Sequence, residues 1–208
     1  MTLHTKKLAG LLVITTALLT ACSVIPQQAP VTVYQLPLPI ATASTPHATA
    51  QTALLPAIRV ITPSASPTLN SDRILVSQSP NQLLAYQGVR WHDMAPRIVR
   101  NHVAQALKNN NRWQAVTTDD NNALASYQLG GELHAFQVFD NTGERKVVIR
   151  FDATVVNTES NRVMAARAFE LTEAVTGQDF EAVVKTFGQA TDRLGQQLAQ
   201  WLTQTLAP

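Results

Sequence analysis

The chain has 208 residues, 45% of them hydrophobic and 14% charged, which is enough for one domain with its own core. Its formal charge of +2 is accounted for by Lys6 and Lys7, so residues 22–208 are neutral. A neutral body without an arginine-rich face excludes nucleic acid as an expected partner.

The N-terminus has the pattern of a secretory signal. Two lysines precede an apolar run over residues 8–19 that is too short to cross a bilayer. Leu19-Thr20-Ala21-Cys22 then has the form of a bacterial lipobox, and Cys22 is the single cysteine of the chain. The alternative is an ordinary signal peptide followed by an incidental cysteine. A lone thiol directly after small residues favours lipidation, because the thiolate is the nucleophile that diacylglycerol transfer needs.

We therefore predict a signal peptide at residues 1–21 and a lipid-anchored Cys22. Ser23 follows the cysteine, where an aspartate commonly retains lipoproteins of Gram-negative cells at the inner membrane. The expected location is thus the outer membrane, with the domain facing the periplasm. Residues 22–56 are rich in proline, alanine, threonine and serine, which predicts a tether and linker with one short strand at Val31–Leu36.

The folded domain is expected over residues 57–208, with two amphipathic helices. One begins after Asp93 as its N-cap and ends at Asn109–Asn111; the other begins near Asp179 and carries an apolar stripe. Strands are predicted at 57–61, 73–78, 82–87, 113–117, 127–139, 146–157 and 162–175, with a β-bulge near His134 where the alternation changes parity. This set predicts an α/β or α+β sandwich of two main helices and six to seven strands.

No catalytic constellation is visible in the sequence, so the prediction is a protein that is not an enzyme and holds neither cofactor nor metal. The five histidines have no metal-ligand spacing, and neither a Gly-x-Ser-x-Gly elbow nor a phosphate-binding glycine pattern occurs. Asp119-Asp120-Asn121-Asn122 suggests calcium only weakly, and a solvated turn is the preferred interpretation. Paired carboxylates brought together from different strands stay open at this point.

Several blocks together resemble the ABC-type transport auxiliary lipoproteins. Besides the lipobox, the blocks that carry the resemblance are Tyr34-Gln35-Leu36-Pro37, Asp72-Arg73-Ile74-Leu75, Ser79-Pro80-Asn81-Gln82-Leu83, Tyr86, Arg90-Trp91, Pro96 and Trp201-Leu202. Two features depart from the family pattern. Val76 stands where many relatives carry tyrosine, and the Ala/Thr/Ser insertion at 41–53 is longer than expected.

The resemblance implies a three-layer α/β/α fold with a mixed sheet and a role beside an MCE-type lipid transporter. An inner-membrane ABC transporter and periplasmic MCE-domain proteins would form a lipid conduit, and this lipoprotein would dock its distal end at the outer membrane and support envelope integrity. Because such conduits are rotationally symmetric, a homo-oligomer is also expected. The alternatives are a stand-alone periplasmic lipid-binding lipoprotein or a structural lipoprotein of the cell envelope.

The expected partner surface contains Tyr86, Arg90 and Trp91, which precede the first helix. Aromatic residues and arginine supply much of the binding energy at protein interfaces. The competing interpretation is that Trp91 packs beneath that helix, since tryptophan is usually buried.

Overall fold

The computed structural model describes residues 30–36, 53–79, 81–141 and 143–207. Nine strands and two helices lie in these ranges. In chain order they are β1 (Thr32–Tyr34), β2 (Ile58–Val60), β3 (Ser64–Ala65), β4 (Arg73–Ser79), β5 (Gln82–Trp91), α1 (Ala95–Asn109), β6 (Val116–Thr118), β7 (Tyr127–Asn141), β8 (Glu144–Asn157), β9 (Arg162–Ala174) and α2 (Phe180–Leu206).

All nine strands belong to one mixed sheet organised around β7. Along one edge, β7 pairs with β8 in antiparallel register, and β8 pairs with β9 in the same way. Along its other edge, β7 pairs in parallel with β2, β3 and β4 in turn. β5 and then β1 extend the sheet beyond β4, while β6 extends it beyond β2. The N-terminal strand β1 is thereby part of the domain sheet.

The two helices pack against each other and against one face of this sheet. Buried and exposed residues alternate along β8, so that Val147, Ile149, Phe151, Ala153 and Val155 face the helices while Arg150 and Asp152 face solvent. The helices approach closely at Gly195 of α2, where an added Cβ would lie 2.6 Å from the Cβ of Ala106 in α1. The predicted class, an α/β fold with a mixed sheet and two main helices, is confirmed.

Two details of the architecture refine the prediction. The sheet has nine strands rather than six or seven, because β1, which was predicted as part of the tether, pairs with β5, and β3, only two residues long, was not predicted. The strand predicted at 113–117 corresponds to β6. The resemblance implied three layers, whereas the described residues form one sheet and one layer of two helices, because the helices contact each other directly.

The start of α1 differs from the prediction. Met94 occupies the N-cap position and makes no side-chain cap, whereas Asp93 lies one residue earlier. Its carboxylate accepts a hydrogen bond from the Met94 backbone N–H at 2.8 Å and pairs with Arg97 at 3.6 Å. The helix was predicted to end at Asn109–Asn111 because asparagine tolerates the left-handed conformation. Asn111 adopts that conformation, with φ of 55°.

The predicted bulge in β7 is confirmed by the register with β8, which shifts between Leu133 and Ala135 and leaves His134 unpaired in the ladder. Nearby, the backbone of Gly131 has φ of 142°, and a Cβ there would lie 1.9 Å from the Asp152 carbonyl oxygen. Only glycine fits here, because any side chain would collide with the backbone of β8.

The core is centred on three aromatic side chains from three different elements. Trp91 of β5, Phe136 of β7 and Phe187 of α2 contact one another, with ring centroids 4.8 to 5.9 Å apart. Each is at most 1% exposed. Edge-to-face and tilted contacts of this kind add to the stabilisation from burial itself. The cluster therefore stabilises the packing of α2 against β5 and β7.

Candidate functional site

The β1–α2 corner, made of Tyr34, Tyr86, Phe180 and Glu181, joins the N-terminal strand to the body. The ring of Phe180 lies 5.1 Å from Tyr34 and 5.1 Å from Tyr86, in the second case edge to face. The Tyr34 hydroxyl donates to the Glu181 carboxylate at 3.3 Å. Partial burial and the Glu181 carboxylate together raise the pKa of Tyr34. The corner holds the entering chain against the first turn of α2.

The three residues expected at the partner surface lie on one strand but at different depths. Trp91 is 1% exposed and packs in the aromatic core, against Phe136 of β7 and Phe187 of α2. Arg90 is exposed and pairs with Asp72 at 3.6 Å. Tyr86 is half-buried; burial raises its pKa, and its hydroxyl has no hydrogen-bond partner among the described residues. A contact role for Arg90 and Tyr86 stays a prediction.

A groove runs along the exposed side of α2, with Tyr34 of β1 on its opposite wall. Its volume is about 360 Å³. Its other lining residues, at helical spacing on α2, are Glu181, Val184, Lys185, Gly188, Gln189 and Asp192. Gly188 leaves the floor open, since an added Cβ would meet nothing within 4 Å. The groove therefore offers an apolar floor with charged groups along its rim.

At the far end of the groove, a buried histidine meets an acidic side chain across the helix interface. His102 of α1 is 2% exposed, and its Nδ1 lies 3.5 Å from an Asp192 carboxylate oxygen. Neither ring nitrogen has a well-formed hydrogen bond within the described residues. Burial lowers the pKa of His102 against the opposing pull of Asp192, and burial likewise raises the pKa of Asp192. The interface thus holds an ionisable pair that is poorly satisfied.

The acidic turn after β6 holds a buried arginine instead of being merely solvated. Arg100 of α1 is 3% exposed, and its guanidinium donates to Asp119 and Asp120, the latter at 2.8 Å through two nitrogens. Although burial by itself raises the pKa of Asp119, hydrogen bonds from the Thr62 backbone and from Arg100 lower it below its usual value. These carboxylates connect β2, α1 and β6, which assigns the turn a structural role.

The remaining polar clusters give no candidate for metal chemistry. His134 lies on the solvent face of the sheet, 3.0 Å from Asp152 and 3.7 Å from Glu132. Within the described ranges, no group of three or more histidine, cysteine, aspartate or glutamate side chains could hold a metal ion. A shallow depression of about 560 Å³ lies by the start of β7, beside the fully exposed Leu124.

These surfaces offer groups that can make non-covalent contacts. Aromatic faces, one exposed guanidinium and an open groove can bind a partner, but Cys22 lies outside the described residues and its lipidation stays a prediction. Within the part of the chain that the structure describes, no helix has both the length and the apolar character needed to cross a membrane.

A family model described as the ABC-type transport auxiliary lipoprotein component matches residues 34–199. The chain belongs to this family. The match begins at Tyr34 in β1 and ends within α2, so it covers nearly all of the sheet and both helices. The resemblance read from the sequence is thereby confirmed for an auxiliary lipoprotein.

Individual relatives are distant. The auxiliary lipoprotein is 25% identical over 142 residues to the uncharacterized protein bll6063 of Bradyrhizobium diazoefficiens, a stretch that is 67% of this chain but 37% of that protein. The chain thus spans little more than a third of this curated relative's length.

Two crystal structures share the fold. Protein XCC0632 from Xanthomonas campestris is 23% identical with a TM-score of 0.72, over 84% of this chain and 95% of that one. The hypothetical protein CT253 from Chlamydia trachomatis is 7% identical with a TM-score of 0.51, over 73% of this chain and 98% of that one.

Sequence reasoning missed the β1–α2 corner and the buried pair of His102 and Asp192. One signal was available: Phe180, a large aromatic residue, directly follows the helix N-cap Asp179 and lies outside the buried stripe of the helix. The partners on β1 and β5 are more than 90 residues away in sequence, and no local pattern identifies them.

Proposed function

We propose that this protein is an outer-membrane lipoprotein that serves as the accessory subunit of an MCE-type ABC lipid transport system. It would dock the periplasmic MCE conduit at the outer membrane and so support envelope integrity. The observation that carries this proposal is the family match over residues 34–199, downstream of a lipobox at Cys22. The tether would supply membrane attachment, and the rigid sheet would supply the docking surface.

The surface around Tyr86 and Arg90 is proposed as the contact with the MCE-domain protein. Arg90 is exposed, and its partner Asp72 is half-exposed, so both can exchange their weak mutual ion pair for contacts across an interface. Tyr86 lies on the same strand and is half-buried, so the exposed part of this residue would add contact area beside Arg90. Trp91 would act only from below, by holding the strand in place.

An accessory role needs no reaction chemistry and no enclosed lipid site. In this proposal the protein is therefore not an enzyme. A stand-alone lipid carrier would need a roomy apolar pocket. The groove along α2 has a volume of about 360 Å³, near the lower limit for sites that enclose even drug-sized ligands, and it is open to solvent. This favours docking over carriage.

Site-directed crosslinking in cells tests the proposal. A photoreactive amino acid at Gln87, which is exposed between Tyr86 and Arg90, is expected to capture an MCE-domain protein. The same group at Leu124, which is fully exposed beside the start of β7, serves as the control. Stoichiometric lipid in the purified monomer, with no MCE protein captured from Gln87, would instead support the carrier. The mass of the captured assembly also tests whether several copies act together, as we propose.

The first mutational prediction compares two arginines. Arg90→Ala is expected to weaken binding of the purified MCE partner by about tenfold, because a desolvated interface arginine typically contributes more than 1 kcal/mol. Arg97→Ala is the matched control: Arg97 is exposed to the same degree and also pairs with an aspartate at 3.6 Å, but it lies on α1. Equal affinities for both folded variants in a titration would remove Arg90 from the interface.

A further inference from the structure

The β4–β5 hairpin, residues 74–89, carries at its tip an apolar surface that the fold leaves unused. Leu83 and Leu84 are 39% and 43% exposed. Because neighbouring residues of a strand point to opposite faces, both sides of the hairpin present a leucine, and a single core could cover only one of them. β1 pairs with β5 only from Val89 onward, so the edge of β5 beside these leucines has no neighbouring strand among the described residues.

This hairpin is also free of charge. Residues 74–89 contain no aspartate, glutamate, lysine, arginine or histidine, although 14% of the whole chain is charged. Moving the hairpin out of water therefore requires the desolvation of no ionised side chain, which is the large cost that keeps most loops out of a bilayer surface. The first charges are Arg73 and Arg90, which face each other across the base of the hairpin.

The direction of β1 shows that the chain enters the sheet from the side of the hairpin tip. β1 is parallel to β5, and Thr32 is in register with Val89. Since β5 runs from the tip toward the base, the chain that precedes Thr32 comes from the direction of the tip. The tip lies six residues of β4 beyond this level, from Arg73 to Ser79, which is roughly 20 Å.

The length of the tether then limits how far the tip can be from the bilayer. Cys22 is ten residues before Thr32, and even a fully extended chain of that length spans at most roughly 36 Å. A lipidated Cys22 keeps Thr32 within that distance of the membrane. The tip projects about 20 Å from the level of Thr32, toward the side from which the chain enters the sheet. Any slack in the tether therefore lets the tip contact the lipid surface.

We propose that the β4–β5 hairpin tip inserts Leu83 and Leu84 into the interface of the lipid bilayer to which the protein is anchored. The inference rests on the proposed lipidation of Cys22. It assigns the membrane-facing end of the domain and orients the surface of Tyr86 and Arg90. The neighbouring β7–β8 turn carries Glu144, which pairs with Lys146 at 3.6 Å, so insertion depends on the apolar residues and not on attraction to anionic lipid.

The single cysteine permits a direct test with the full lipidated protein. Because acylation consumes the Cys22 thiol, Leu83→Cys introduces the one free thiol for an environment-sensitive fluorophore. In phosphatidylcholine vesicles, the emission should shift to the blue and be quenched by lipids that carry a spin label on the acyl chain. The matched control is Leu124→Cys, since β7 alone separates the two ends of the domain by roughly 46 Å, and it should show neither effect.

Every outcome of this experiment decides the proposal. A second probe, on Asn81→Cys, compares the protein that has both leucines with a Leu83→Ser, Leu84→Ser double variant. Quenching by the acyl-chain spin labels should be about tenfold weaker in the double variant, because two partly exposed leucines no longer enter the interface. Equal signals at positions 83 and 124, or a blue shift at 83 that acyl-chain quenchers do not affect, would overturn the proposal, the latter in favour of a protein contact. Failure of the anchor itself is distinguished because an unmodified Cys22 would also react with the fluorophore and the protein would not float with vesicles.

Discussion

Arg100 shows how one buried charge organises three elements at the scale of single residues. The Arg100 side chain belongs to α1 and is 3% exposed, yet both carboxylates that pair with it come from the turn after β6. From the sequence, Asp119-Asp120-Asn121-Asn122 is a polar loop and nothing more, because its function depends on an arginine 19 residues earlier on another element. The spacing of apolar residues along a helix predicts which positions are buried. A buried charged residue such as Arg100 does not fit that spacing, so the pattern does not reveal it.

Asp119→Ala should lower the free energy of unfolding by about 3 kcal/mol, since it leaves a buried guanidinium partly unpaired. Asp93→Ala is the control, because Asp93 pairs with the exposed Arg97 and its loss should cost less than about 1 kcal/mol. Chemical denaturation of both variants measures the difference. Losses of equal size would show that Arg100 finds other partners.

The pair of His102 and Asp192 should make stability depend on pH. The pKa of His102 is lowered in the folded state, so the unfolded chain binds more protons and the free energy of unfolding falls as the pH drops below about 6.5. The slope is at most about 1.4 kcal/mol per pH unit for one proton. Asp192, whose pKa is raised, acts in the opposite sense, at the pH where its own carboxyl titrates.

Denaturation of wild type and of His102→Gln between pH 8 and pH 5.5 measures this effect. The variant should lose most of the slope, whereas His134→Gln, which replaces an exposed histidine, should retain it. Asp192→Asn should steepen the loss, because the carboxylate opposes the lowering of the His102 pKa. A wild-type slope that His102→Gln leaves unchanged would assign the dependence to other groups.

At the scale of elements, the contact between α1 and α2 depends on the absence of a side chain. Gly195 lies where an added Cβ would be 2.6 Å from Ala106, while Gly188, two turns earlier on α2, faces the open groove. The two glycines look alike in the sequence. Their environments are set by the crossing of two helices, which a single helical period does not specify.

This pair of glycines gives opposite predictions for the same substitution. Gly188→Ala should stabilise the protein by up to about 1 kcal/mol, through helix propensity alone. Gly195→Ala gains the same propensity but overpacks the helix interface at a typical cost of about 1–3 kcal/mol, so the net effect should be destabilising. Thermal denaturation separates them, and Ala106→Gly should rescue Gly195→Ala. If Gly195→Ala stabilises as much as Gly188→Ala, the helices are not in tight contact there.

The elements themselves were largely readable from the chain. Alternation along Val147–Val155 predicted β8, and the change of parity near His134 predicted the bulge in β7. β3 was missed and β5 was predicted to end too early, at Gln87, because Gly88 with φ of 72° interrupts the pattern while the strand continues to Trp91. Pairing of β1 with β5 was also unpredictable, since it joins segments separated by more than 50 residues.

At the scale of the whole molecule, the proposed anchor is the first property to test. Cys22→Ala should accumulate as an unprocessed precursor, because the enzyme that cleaves lipoprotein signals acts after the thiol is alkylated. Fractionation of cells should find the wild-type protein in the outer membrane, as Ser23 indicates, and should not find the variant there. A variant that is cleaved normally and recovered soluble would contradict lipidation and leave the fold untouched.

The way the chain enters the sheet also determines how the domain would bear a mechanical load. A pull on the N-terminus acts along β1, whose backbone hydrogen bonds to β5 lie across that direction and are strained together in shear, not opened one after another. Behind them, Tyr34 is wedged against Phe180, and Leu36 is buried in the core. Force applied at the N-terminus would thus pass directly into the sheet and the first turn of α2.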